Sequence, residues 1–135
     1  VDGRPAWGLP LLIPAVLPWH AHHAECLRRA QEASEVPAHV LLECFSVLTR
    51  LPAPHRVAPV DAERLVSALP LRAVALPAQE HLRVVQLVAG RGLRGGAVYD
   101  ALVGATAAHH ELTLLTRDVR ARLTYEIVGT TLAWV

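Results

Sequence analysis

The chain has 135 residues, 53% hydrophobic and 19% charged, with a formal net charge of +1. That length fits one domain, and the apolar share can bury a core, which excludes a disordered or low-complexity chain. The near-neutral balance neither requires nor excludes a nucleic-acid partner, and all 13 basic residues are arginines, as a GC-rich gene would encode and as bidentate phosphate contacts would suit.

No apolar run reaches the roughly 18 residues a membrane span needs. Residues 9–17 are apolar but short, and Pro10 and Pro14 interrupt them. Arg4 alone charges the start, so no export signal is expected and a cytoplasmic location is. Cys26 and Cys44 lie in helix-like patterns and are expected as buried, reduced thiols.

Helical and strand signals alternate, predicting an α/β sandwich around a mostly parallel sheet. Residues 1–7 make a poor strand, because Gly3 and Pro5 both weaken one. Residues 20–33 read as a polar surface helix. Pro37 opens the next helix, where its missing N–H costs nothing. There Val40, Leu41, Cys44, Val47, Leu48 and Leu51 form a buried stripe that Pro52 and Pro54 end. Asp61 is expected to cap a short helix to Leu69. Residues 73–76 read as a short buried strand, and residues 77–89 as a helix closed by Gly90 and Gly92. Gly95-Gly96 leads into a helix over residues 97–109. Residues 112–116 are the clearest strand, residues 119–127 are partly helical, and residues 130–135 form a final strand.

Three carboxylates break these patterns. Glu43 follows Val40 by three residues and precedes Val47 by four, so a helix aims it along the buried stripe. Asp100 sits on or beside the small-residue face of Ala97, Ala101, Gly104 and Ala108. Asp118 follows the apolar strand at its carboxyl end, where parallel α/β sheets bind ligands. An unpaired buried carboxylate costs on the order of several kcal/mol or neutralises. A shared Mg²⁺ or Mn²⁺, which prefers oxygen ligands, would account for all three. Separate ion pairs would too: Glu43 with Arg50, and Asp118 with Arg117, Arg120 or Arg122. Periodicity leaves both open.

The wording around these residues points further. Leu12-Ile-Pro-Ala-Val-Leu-Pro-Trp-His20, with His22-His23, resembles the start of VapC-type PIN toxins of bacterial toxin–antitoxin systems. Glu43-Cys-Phe-Ser-Val-Leu-Thr-Arg-Leu-Pro52 resembles their second acidic motif. Gly95-Gly-Ala-Val-Tyr-Asp100-Ala-Leu-Val-Gly-Ala-Thr106 resembles the third, and Leu114-Leu-Thr-Arg-Asp118 the fourth. The motifs occur in order, from Leu11 to the C-terminus.

The resemblance implies one PIN-like domain over residues 1–135, with a three-layer α/β/α sandwich and an atypical segment at 1–10. It implies an endoribonuclease that hydrolyses a phosphodiester with Mg²⁺ or Mn²⁺, acting on tRNA, rRNA or mRNA. Glu43, Asp100 and Asp118 would be the catalytic and metal-binding carboxylates, with Thr116 a supporting hydroxyl. A VapB-type antitoxin and a homodimer are also implied.

The first acidic motif departs from the family. Gly8-Leu9-Pro10 stands where an Asp-Thr-Ser or Asp-Ser-Ser triplet belongs. Asp2 lies six positions earlier, about 20 Å along an extended chain, too far to replace it. Trp7-Gly8-Leu9-Pro10 can be encoded so that a one-base shift reads Gly-Asp-Ser, so an out-of-frame start and a diverged copy are both open. The alternative function is a catalytically impaired module that binds antitoxin or RNA without cutting.

Other features have bland readings beside sharp ones. His20, His22, His23 and His39 could suggest zinc, but no second ligand pair is placed, and an exposed helix start explains them. His109-His110 reads as a helix end, where the dipole favours a cation. Trp19 could stack on a base or pack at a junction. Arg91 and Arg94, in a glycine-rich loop that is not a P-loop, could touch RNA phosphates or simply be solvated.

Overall fold

A computed structural model of the protein describes residues 3–135. Five parallel strands, β1 (Arg4–Trp7), β2 (Glu35–Pro37), β3 (Arg72–Val74), β4 (Leu112–Thr116) and β5 (Thr131–Trp134), form one sheet in the order β3-β2-β1-β4-β5. The connecting helices are α1 (Leu9–Val16), α2 (His23–Ala30), α3 (Ala38–Thr49), α4 (Pro59–Ser67), α5 (His81–Gly90), α6 (Ala97–His109) and α7 (Arg122–Ile127). With this strand order, the right-handed crossover rule puts α1 to α4 on one face and α5 to α7 on the other. The expected three-layer sandwich is therefore observed.

The expectation of a poor first strand is overturned. β1 is the central strand, in register with β4 from Arg4↔Leu112 to Trp7↔Leu115. Ala6 and Trp7 are completely buried, and that burial outweighs the unfavourable propensity of Pro5. Gly3 is accommodated for a packing reason: a Cβ there would meet Thr113 Oγ1 at 2.5 Å. Pairing with β2 is confined to Ala6↔Glu35. Asp2 lies outside the described residues.

Three smaller expectations also change. Asp61 is not the cap: α4 starts at Pro59 with Ala58 before it, because proline's fixed φ suits the first helical position. Asp61 instead sits in the first turn, 3.6 Å from Arg64. The strand read at 73–76 is β3, an edge strand with Arg72 and Ala73 exposed and Val74 buried. The helix read from residue 20 begins at His23. β2 carried no sequence signal, being three residues that end in proline, yet all three are buried.

β2 also buries an ion cluster. Glu35 is 2% exposed, with Arg4 at 2.6 Å on one carboxylate oxygen and Arg72 at 2.7 Å on the other. The Arg72 contact is a directed hydrogen bond, whereas the Arg4 oxygen lacks a well-aligned donor and that attraction is mainly Coulombic.

On the far side, Gly104 lets α6 close on α7. A Cβ there would lie 2.9 Å from Tyr125 and Val128 side-chain atoms.

Candidate active site

The strand order reverses between β1 and β4, and the crevice outside their carboxyl ends is where such sheets bind ligands. Gly8 ends β1 there, its N–H donating to the Leu115 carbonyl at 3.1 Å. α3 brings Glu43 on its second turn, and α6 brings Asp100 on its first. Asp118 follows β4. α3 and α6 touch each other, which draws the first two acids together although they come from opposite faces of the sheet.

Asp118 is the best fixed of the three. Its Oδ1 accepts the N–H groups of Arg120 at 3.0 Å and Ala121 at 3.3 Å, capping the 3-10 turn Val119–Ala121. Its own N–H donates to the buried Thr116 hydroxyl at 3.0 Å. Thr116 therefore orients the loop that carries the acid.

The charges are incompletely neutralised. Burial raises the Asp100 carboxyl above its ordinary range, and the Asp118 charge raises it further, against weaker pulls from Arg120 and His39. Burial likewise raises Glu43; His39 lowers it in part, and Asp100 raises it. The Tyr125 phenol is pushed up first by burial and then by Asp100, Asp118 and Glu43 together. One buried hydroxyl thus feels all three carboxylates.

The separate-pair account largely fails. His39 Nε2, at 3.9 Å, is the basic group within ion-pair reach of Glu43; Arg50 lies beyond that reach and pulls on Glu43 only weakly. Arg120 stands 3.9 Å from Asp118 but is 97% exposed. Arg122 pairs with Glu126 at 3.1 Å, and among the described residues Arg117 has no carboxylate within ion-pair reach.

Among the described residues, no three histidine, cysteine, aspartate or glutamate side chains close into a metal cage. The three acids form a looser, coupled cluster. As a donor set, an under-neutralised group of carboxylates with a hydroxyl beside it fits a hard divalent cation. Gly8 adds no side chain to it.

Other expected residues lie apart. Arg91 and Arg94 are exposed between α5 and α6 and do not line the cavity that holds Glu43. The histidines diverge: His20 Nδ1 accepts the His22 N–H at 3.1 Å, His23 Nδ1 contacts the Pro14 carbonyl at 2.8 Å, and His39 stacks on Tyr99. Trp19 stacks on His55 at 4.0 Å. Cys26 and Cys44 are buried free thiols, and burial pushes Cys44 up to about 12.

Sequence reasoning missed a cavity of about 330 Å³ beside Glu43, lined among others by Leu9, His39, Leu42, Arg50 and Tyr99. Two signals were available. His39 precedes Glu43 by one helical turn, and Tyr99 adjoins Asp100.

The chain belongs to the PIN domain family, whose model matches residues 13–127. It is 40% identical to ribonuclease VapC40 of Mycobacterium tuberculosis over 117 residues, 86% of this chain and 87% of that protein. Ribonuclease VapC27 of Mycobacterium tuberculosis is 39% identical over 127 residues, 90% of this chain and 86% of that one. A crystal structure of VapBC2 from Rickettsia felis bound to a DNA fragment from their promoter contains a similar fold. It has a TM-score of 0.69 at 14% identity and covers 97% of this chain and 98% of that one. The described helices include none long and apolar enough to cross a membrane.

Proposed function

We propose that this chain is a metal-dependent endoribonuclease of the VapC toxin kind, held in check by a VapB-type antitoxin. One observation carries the reading: Glu43, Asp100 and Asp118 share one electrostatic site at the sheet's switch point, in a chain 40% identical to a named ribonuclease.

Glu43, Asp100 and Asp118 would hold Mg²⁺ or Mn²⁺. When bound, that ion supplies Lewis-acid stabilisation of phosphate charge and lowers the pKa of a water. The protein's own part is to position and to tune. Thr116 and the turn N–H groups keep Asp118 in one orientation. Burial keeps Asp100 and Glu43 reluctant to ionise without a cation, so metal uptake and deprotonation are coupled. The proposed substrate is a tRNA, rRNA or mRNA, and the proposed assembly is a homodimer.

A second reading is favoured by Gly8 alone, which leaves the cluster one carboxylate short of the family pattern. On it, the chain binds antitoxin or RNA and cuts poorly or not at all. RNA cleavage by the purified chain with Mn²⁺ or Mg²⁺, with EDTA, and by Asp100→Asn separates the two. Cutting that needs metal and disappears in Asp100→Asn supports the enzyme. A folded, metal-supplied chain that leaves RNA intact supports the binding module.

A further inference from the structure

The cavity beside Glu43 contains chemistry that three metal-binding carboxylates do not need. It is built at α1, α3 and α6, with Leu9 and Leu42 giving apolar walls. His39 and Tyr99 face each other with ring centroids 5.3 Å apart and planes within 8° of parallel. His39 therefore fixes one face of the Tyr99 ring, while Tyr99 as a whole remains 55% exposed. An aromatic ring held in orientation with its other face open is a ready stacking surface. Arg50, just past α3, lines the same cavity and is exposed. Among the described residues, no carboxylate lies within ion-pair reach of it. Glu43 closes one wall, so whatever occupies the cavity adjoins the carboxylate cluster.

We propose that this cavity is a nucleobase subsite. It takes one unstacked base of a single-stranded RNA on the free face of Tyr99, with Arg50 on a neighbouring phosphate. The proposal rests on the ribonuclease reading above and names how the substrate would be seated for it. The combination selects the occupant: a flat aromatic ring for a base, an exposed guanidinium with no ion-pair partner within reach for a phosphate, and Leu9 and Leu42 as apolar walls for the edge of the base. A paired base offers no free face, so the subsite requires an unpaired segment. Stacking accepts any base, so Tyr99 sets position along the strand more than sequence.

The test is RNA binding in EDTA, where metal-dependent cutting cannot intervene. Fluorescence anisotropy with a labelled single-stranded ten-nucleotide RNA would compare the wild type with Tyr99→Ala, Tyr99→Phe and Arg50→Ala, each checked for an intact thermal transition. Tyr99→Ala should weaken binding about ten-fold, within the range for loss of one base stack, and Tyr99→Phe should stay near wild type. Arg50→Ala should reduce the salt dependence by about one phosphate contact. An abasic scan of the RNA sharpens this: at one position, base removal and Tyr99→Ala should not add, because they delete the same contact.

Equal affinities for Tyr99→Ala and wild type, no coupled abasic position, or no RNA binding by the folded wild type each overturn the subsite. The ribonuclease reading is scored separately, by Mn²⁺-dependent cleavage and its loss in Asp100→Asn. Coupled binding without cleavage would keep the subsite and remove the enzyme, and cleavage without coupling would do the reverse.

Discussion

Glu35 lies on β2 and Glu43 on the helix that follows it, and the fold treats these two acids in opposite ways. Glu35 is sealed in the sheet but has a guanidinium on each oxygen. Glu43 is half-buried, feels the Asp100 charge, and has a histidine at 3.9 Å with Arg50 a weaker and more distant pull. The buried acid with dedicated cations is part of the framework. The partly exposed acid, grouped with two more and short of cations, is where a binding site is expected. Burial alone would have ranked them the other way round.

The largest expected effect tests the framework half of that contrast. Replacing Arg4 and Arg72 together by alanine leaves Glu35 buried and unpaired, and should remove roughly 3–5 kcal/mol of stability. Urea denaturation reads this, and either single variant should lose less because one guanidinium remains. A double variant as stable as wild type would mean that the cluster is not structural.

Next comes the end of β1. Gly8 has φ −87° and ψ 162°, which any residue adopts, but a Cβ there would lie 2.8 Å from the Leu115 carbonyl oxygen. Gly8→Ala and Gly8→Asp should therefore both lose about 1–3 kcal/mol from crowding between β1 and β4. Only Gly8→Asp should also gain metal affinity and cleavage over wild type. The alanine variant separates the steric penalty from the added ligand, and equal metal responses in the two would remove Gly8 from the site.

The third effect is in the pH profile. The folded-state carboxyls of Asp100 and Glu43 titrate above their ordinary values of 3.8 and 4.5. In that window the native state binds more protons than the unfolded chain, so without metal stability should fall as pH rises through it. Asp100→Asn should flatten this fall. Mn²⁺ should raise the wild-type Tm by several degrees above the window, since it binds the native site only. A Tm unmoved by Mn²⁺ would place the cluster with the framework.

The smallest effect concerns Arg120, among the described residues the arginine within ion-pair reach of an acid of the cluster. It is 97% exposed and 3.9 Å from Asp118, so Arg120→Ala should change stability by less than about 0.5 kcal/mol. A larger loss in thermal unfolding would make Asp118 as firmly paired as Glu35.

Legibility followed the range of the interactions involved. α6 and β4 were readable to the residue, because a glycine pair opens one and a short leucine- and threonine-rich run, Leu-Thr-Leu-Leu-Thr, defines the other. Glu43, Asp100 and Asp118 were readable as misfits in local periodicity. β1 was not, because Gly3 and Pro5 weaken any isolated strand and only pairing with β4 and burial of Trp7 repay them. β2 and the role of Glu35 were invisible for a similar reason: Arg4 and Arg72 are remote in sequence and meet it only across the sheet. The stacking of His39 on Tyr99 joins two helices, so the placement of each beside an acid was legible but their contact was not.

The sequence by itself determined the alternation of helices and strands, and which acids stand where apolar or small residues belong. These follow from side-chain spacing within a few residues. The tertiary structure alone decided that β1 is central, that Glu35 is neutralised while the other three acids are not, and that Tyr99 and Arg50 share a cavity with Glu43. Each depends on which distant segments the sheet order β3-β2-β1-β4-β5 brings together, and the strength of a charge or a ring contact is set by neighbours that only packing supplies.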